Sequence, residues 1–172
     1  MEWRLDLMLK HPRLFTIAET PSHSFGYPNC ERGWRDILVR VCHRIETALH
    51  DRDAFEFVKI APKMGILRIN WEVESLEETH DGIAHAVDLA VARSACTCEI
   101  CGAAGRLYDN KGWFETRCAE HAAGAPVAPR YGRENLRRLR RRRGQAGMYL
   151  ASYDRETDTL TEVLPPSQRR EK

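Results

Sequence analysis

The chain has 172 residues, 42% of them hydrophobic, with 27 Lys and Arg against 25 Asp and Glu and a formal net charge of +2. That size buries one core, or one core with a small appended module. There is no apolar run long enough to cross a bilayer and no signal-peptide h-region in the first ten residues, so the expectation is a soluble, cytoplasmic protein with no membrane partner.

The opening, Trp3 to Lys10, alternates charged and apolar residues and reads as a strand, although the same residues also serve a short helix. Pro, Ser, Gly and Asn between Thr20 and Arg32 mark a loop. Trp34, Ile37, Leu38, Val41, Ile45 and Leu49 then recur at steps of three and four, which predicts an amphipathic helix over 33–50. Two β-rich runs joined by Ala61-Pro62-Lys63-Met64-Gly65 predict a hairpin over 55–73, with Leu67, Ile69, Trp71 and Val73 on one buried face. Ser75-Leu76-Glu77-Glu78 reads as a capping box at the head of a second helix over 76–95, which carries Ile83, Val87, Ala90 and Val91.

Cys98, Cys101, Cys118 and His121 follow, as a C-x2-C pair and a C-x2-H pair separated by sixteen residues. Two cysteines at that spacing present both thiolates from one turn, Gly102 lets the turn close, and the second pair completes the four N/S ligands of a structural zinc ion, one per chain. Cys96 is a competing ligand, less well placed because C-x-C does not make the same turn. The stretch between the pairs predicts a hairpin turning at Asp109-Asn110-Lys111-Gly112, and Cys118-Ala119-Glu120-His121 a helix beginning at the second pair, the order of a treble clef. Gly124 to Pro129 has the composition of a linker. The segment around Leu136 and Leu139 is expected to be helical, 148–163 a hairpin, and 165–172 a frayed tail. The expected fold class is therefore α+β: a small antiparallel hairpin sheet packed with helices (1–95), a treble-clef-like zinc module (96–123), and a basic helix with a C-terminal hairpin (130–164).

The charge is unevenly spread. Eight arginines lie between Arg130 and Arg143 against the single acid Glu134, a local +7 that leaves −5 on the rest. Arg133, Arg137, Arg138, Arg140, Arg141, Arg142 and Arg143 are the candidate contacts to nucleic acid or to an acidic partner surface, weighed against a solvated face that contacts nothing. No nucleophile or acid/base constellation emerges: the other histidines share no partner spacing, and neither a phosphate loop nor H-E-x-x-H is present. A closed zinc site has no position for substrate, so no enzyme and no small-molecule substrate are expected.

The sequence of Gly33-Trp34, Lys63-Met64-Gly65-Ile66-Leu67-Arg68, Cys98-Glu99-Ile100-Cys101-Gly102 and Trp113 ahead of Thr116-Arg117-Cys118-Ala119-Glu120-His121 resembles a group of small uncharacterised proteins of bacteriophages, prophages and bacteria. The likeness covers roughly residues 30 to 121; the group's hairpin turn is usually more basic, with Phe where Met64 stands. It implies a zinc-stabilised α+β domain in a phage-related setting and supplies no reaction. The expected function is a non-enzymatic binding protein for a host macromolecular complex, in its specific form an inhibitor of a nucleic-acid-containing bacterial defence system. The alternative is a DNA- or RNA-binding protein or transcription regulator, and a distant third is a nuclease.

Overall fold

The computed structural model describes residues 2–129, 135–140 and 147–163. Its architecture is α+β. Helix α1 (Trp3–Lys10) is followed by short 3-10 turns at Pro21–His23 and Arg32–Trp34, then α2 (Arg35–Ala48), strands β1 (Ala54–Lys63) and β2 (Ile66–Glu74), and α3 (Glu77–Ser94). Strands β3 (Arg106–Asn110), β4 (Trp113–Arg117) and β5 (Ala125–Pro126) form a second antiparallel sheet in the order β4-β3-β5. Strands β6 (Leu136–Arg140), β7 (Met148–Asp154) and β8 (Thr159–Val163) form a third, in chain order. Among the described residues no helix is long and apolar enough to cross a membrane.

The opening segment is a helix because Leu7 and Met8, adjacent in sequence, are both buried, a pattern one face of a strand does not give. Asp6 and Lys10 pair one turn apart at 3.0 Å. The main core joins α1, α2, the hairpin and α3 through Trp34, Leu38, Val41, Phe57, Ile60, Leu67 and Ile83. In β2, Leu67 and Ile69 are buried with Trp71 and Val73 packed against them, while Arg68 and Glu72 face solvent, as the alternation predicts. The hairpin strands run further than expected, through Ala61, Pro62 and Lys63, so that Met64 and Gly65 alone make the turn, both at positive φ.

Three expectations about local structure are corrected. Ser75 does not cap α3: the N-cap is Leu76, no side chain caps it, and the Ser75 hydroxyl donates to the Leu76 carbonyl at 3.2 Å. Glu77 and Glu78 still occupy the first turn, where the helix dipole favours them. The segment 118–121 is a turn rather than a helix, so the treble clef's closing helix is absent; the chain reverses instead through Gly124, at φ +89°, and the expected linker supplies β5. Finally, Leu136–Arg140 is a strand paired with β7, not a basic helix. A helix would stack arginines at i and i+4 with like-charge repulsion, whereas a strand turns successive arginines to opposite faces.

Candidate metal centre and arginine cleft

The four ligand residues come from two turns at one end of the β3–β5 sheet. In the first, the Cys98 carbonyl accepts from the Gly102 amide at 2.9 Å, and the Cys98 amide donates to the Ala103 carbonyl at 2.8 Å, closing the loop through Gly102 at φ +81°. In the second, the His121 amide donates to the Cys118 carbonyl at 3.2 Å. One ligand atom from each of Cys98, Cys101, Cys118 and His121 falls within 4.8 Å of all the others. Cys101 Sγ lies 3.8 Å from Cys118 Sγ, and His121 Nδ1 lies 3.7 Å from Cys98 Sγ and 3.2 Å from Cys118 Sγ. These are the edges of one small polyhedron, able to hold a metal ion. Burial pushes the Cys98 thiol up, but amide donors from Cys101, Cys118 and Ile100, with the Cys101 side chain, outweigh it and bring the pKa down to about 6. A thiol near that value offers a thiolate at neutral pH, the form a metal needs. Cys96 is not part of this set: its thiol donates to the Arg93 carbonyl at the end of α3.

What surrounds the ligands keys them to the rest of the fold. Between the two cysteines of the first turn sits Glu99, whose buried carboxylate pairs with Arg117 at 3.0 Å and accepts from the Glu31 amide at 3.2 Å. The Glu99 carbonyl accepts from the Gly33 amide at 2.7 Å, and the Thr97 carbonyl from the indole of fully buried Trp34 at 2.9 Å. Gly33 has no alternative: a Cβ there would lie closer than 3.0 Å to backbone atoms of both Cys98 and Glu99. On the far side the Thr116 hydroxyl donates to the Gly65 carbonyl at 2.5 Å, tying the ribbon to the hairpin turn.

Beside the first ligand turn lies a cleft of about 650 Å3 into which four arginines converge: Arg32 and Arg35 from the head of α2, Arg93 from the end of α3 and Arg155 from the β7–β8 turn. Asp36 is the one acid on its wall, and it pairs with Arg40 at 2.8 Å. Arg93 donates to the Tyr153 hydroxyl and the Arg155 carbonyl, so it braces the cleft. Arg155 reaches the Gly102 carbonyl at 3.5 Å while its Nε is buried with no hydrogen-bond partner. Arg35 keeps one long contact, 3.4 Å to Asp6, and is 41% exposed, leaving its guanidinium available.

The arginines singled out from the sequence are arranged otherwise. Arg133, Arg141, Arg142 and Arg143 lie outside the described residues, as does the side chain of Arg140. Arg138 is exposed on β6, and Arg137 is turned inward. The four cleft arginines are separated by up to 123 positions, Arg32 to Arg155, and no local pattern marks them; the docking of the ligand turn against Gly33 and of the β7–β8 turn against Arg93 brings them together. No protein-family model matches the chain, and neither does any curated protein or solved structure.

Proposed function

We propose that this protein is a non-enzymatic, zinc-stapled module that binds a phosphate-bearing macromolecule, either nucleic acid or a nucleoprotein complex. Zinc suits the donor set of three thiolates and one imidazole nitrogen. With bonds of about 2.3 Å to sulfur and about 2.0 Å to nitrogen, tetrahedral edges are about 3.8 Å between sulfurs and about 3.5 Å between sulfur and nitrogen. The separations here, 3.8, 3.7 and 3.2 Å, agree with such an ion. Four protein ligands leave no open position, so the ion would hold the fold and not perform chemistry.

The observation that carries the binding reading is the cleft, whose wall brings four guanidiniums and one already paired carboxylate together; Arg93 is committed to Asp158 at 3.6 Å and Arg35 keeps its long contact to Asp6, which leaves Arg32 and Arg35 as the arginines to test. Arginine forks match phosphate oxygens bidentately, and such contacts give affinity without reading sequence. The finer reading, an inhibitor of a nucleic-acid-containing defence complex, rests on the phage resemblance. Fluorescence anisotropy with labelled duplex, single-stranded DNA and RNA of unrelated sequences tests the coarser one. Arg32→Ala with Arg35→Ala should weaken binding to all sequences alike and flatten the slope of log K against log salt by about 0.9 per lost duplex contact. Undetectable binding by the parent at low salt would remove bare nucleic acid as partner; affinity capture from bacterial lysate, with and without nuclease, then separates a nucleoprotein target from none.

A further inference from the structure

Arg137 sits where an arginine has little to hold it. It neighbours Arg138 on β6, but the strand turns the two to opposite faces, and Arg137 points the same way as buried Leu139, opposite fully buried Ala151 of β7. It lines a cavity of about 500 Å3 between the β1–β2 turn, the end of α3 and the β3–β5 sheet. The walls are largely apolar, with Met64, Ile66, Ala95, Leu107 and Val127 among them. The Arg137 Nε is buried without a hydrogen-bond partner, and its Nη1 donates to the carbonyl of the adjacent Leu136 at 3.2 Å. No carboxylate among the described residues offsets the burial, which presses its pKa downward.

Three of the other polar groups on the wall are engaged, and Asn135 is exposed. The Thr116 hydroxyl donates to Gly65, the Cys96 thiol to the Arg93 carbonyl, and Arg106 lies over the Tyr108 ring at 5.5 Å. A half-buried guanidinium among apolar side chains, with no carboxylate beside it among the described residues, has poor solvation, so a bound anion gains more there than in water. The geometry points to this cavity as a binding site for a small amphipathic monocarboxylate, its apolar body against Met64, Leu107 and Val127 and its carboxylate on Arg137. One carboxylate matches the one guanidinium fork turned inward, Arg106 being exposed and laid over Tyr108, whereas a polyphosphate would bring more charge than that single fork can meet. The volume lies within the range of about 300–1,000 Å3 usual for small-molecule sites. The cleft plays no part in this argument, so the two sites stand or fall separately.

Decanoate, with decanol as its uncharged counterpart, tests the assignment by calorimetry and amide chemical-shift mapping on the intact metal-loaded chain. Decanoate should bind saturably, at least about tenfold tighter than decanol, and should shift the amides of Met64, Gly65, Leu107 and Val127. Arg137→Met should erase the difference between the two probes, and Arg138→Met on the exposed face of the same strand should leave it intact. Equal affinity for the two probes, shifts confined to other surfaces, or a preference for decanoate that survives in Arg137→Met would each overturn the assignment. Should Arg137→Met fail to fold, the comparison of probes and the shift map on the native chain decide the matter by themselves.

Discussion

Replacing Gly33 with alanine adds one methyl group at the point where the head of α2 meets the first ligand turn. Its Cβ would stand 2.6 Å from the Glu99 carbonyl carbon and closer still to the carbonyl oxygens of Cys98 and Glu99. Reaching the 3.4 Å at which ordinary contact begins, from the 2.3 Å to the Cys98 carbonyl oxygen, requires the two backbones to part by about 1.1 Å, and no flexible side chain is available to yield. The displacement also stretches the Gly33 to Glu99 hydrogen bond, 2.7 Å in the native fold. Overpacking of this kind costs about 1–3 kcal/mol, and a contact between two backbones belongs at the upper end. About 3 kcal/mol lowers the Tm of a chain this size by about 6–12 °C. Because metal–ligand distances tolerate only about 0.2 Å, moving Cys98 should also weaken metal binding by about 10- to 100-fold, as outer-sphere changes do. Thermal melts and competition with a chromophoric chelator measure the two effects. A variant that melts within about two degrees of the parent and holds metal equally well would refute the claim that the ligand turn is keyed to α2 through this glycine.

Three further outcomes are expected. Cys118→Ser, or a strong chelator, should unfold the β3–β5 sheet, since structural zinc contributes about 10 kcal/mol or more. Amide exchange should then show Gly33 and Trp34 losing protection while β1 and β2 retain theirs; protection kept throughout would contradict the account. The Asp158 carboxylate is pushed up by burial but held below its usual pKa by the Tyr153 hydroxyl at 2.6 Å and by Arg44 and Arg93. Its stabilisation is therefore present above about pH 4 and lost as pH falls through the lowered folded value. Asp158→Asn, which keeps a residue tolerant of the left-handed φ of +56° found there, should cost about 2–3 kcal/mol at neutral pH and flatten that acid limb in urea titrations; a parallel pH profile would rule the ion pair out. Trp71→Ala should cost about 2–3 kcal/mol, less than a fully buried tryptophan, because Trp71 is half-buried beside Phe55 and His80; an unchanged urea midpoint would contradict its place on the inner face of β2.

Much of this was legible in the chain because local spacing carried it. The ligand pairs, the stripe of α2 and the alternation of β2 each follow from a period or a fixed offset, which survives whatever the rest of the chain does. The Lys111-Gly112 turn likewise carries its own signal. Leu136 and Leu139, three apart, share a helix face but fall on opposite faces of a strand, and it is pairing with β7, which no local spacing shows, that makes the segment a strand. The Ala-rich second ligand turn has helix propensity, but the reversal at Gly124 that forms β5 prevails over it. The cleft and the Arg137 cavity were invisible for a different reason. Both are assembled from residues far apart in sequence, and whether an arginine faces solvent or a cavity depends on strand phase and docking rather than on composition.

X-ray absorption of the protein as purified, with metal analysis of the same sample, decides whether a closed four-ligand zinc site holds the ligand turn that docks on α2. One zinc per chain is expected, with three sulfurs at about 2.3 Å and one nitrogen at about 2.0 Å. A fractional or absent metal, or a coordination shell with a water oxygen in place of a sulfur or the imidazole nitrogen, would contradict it.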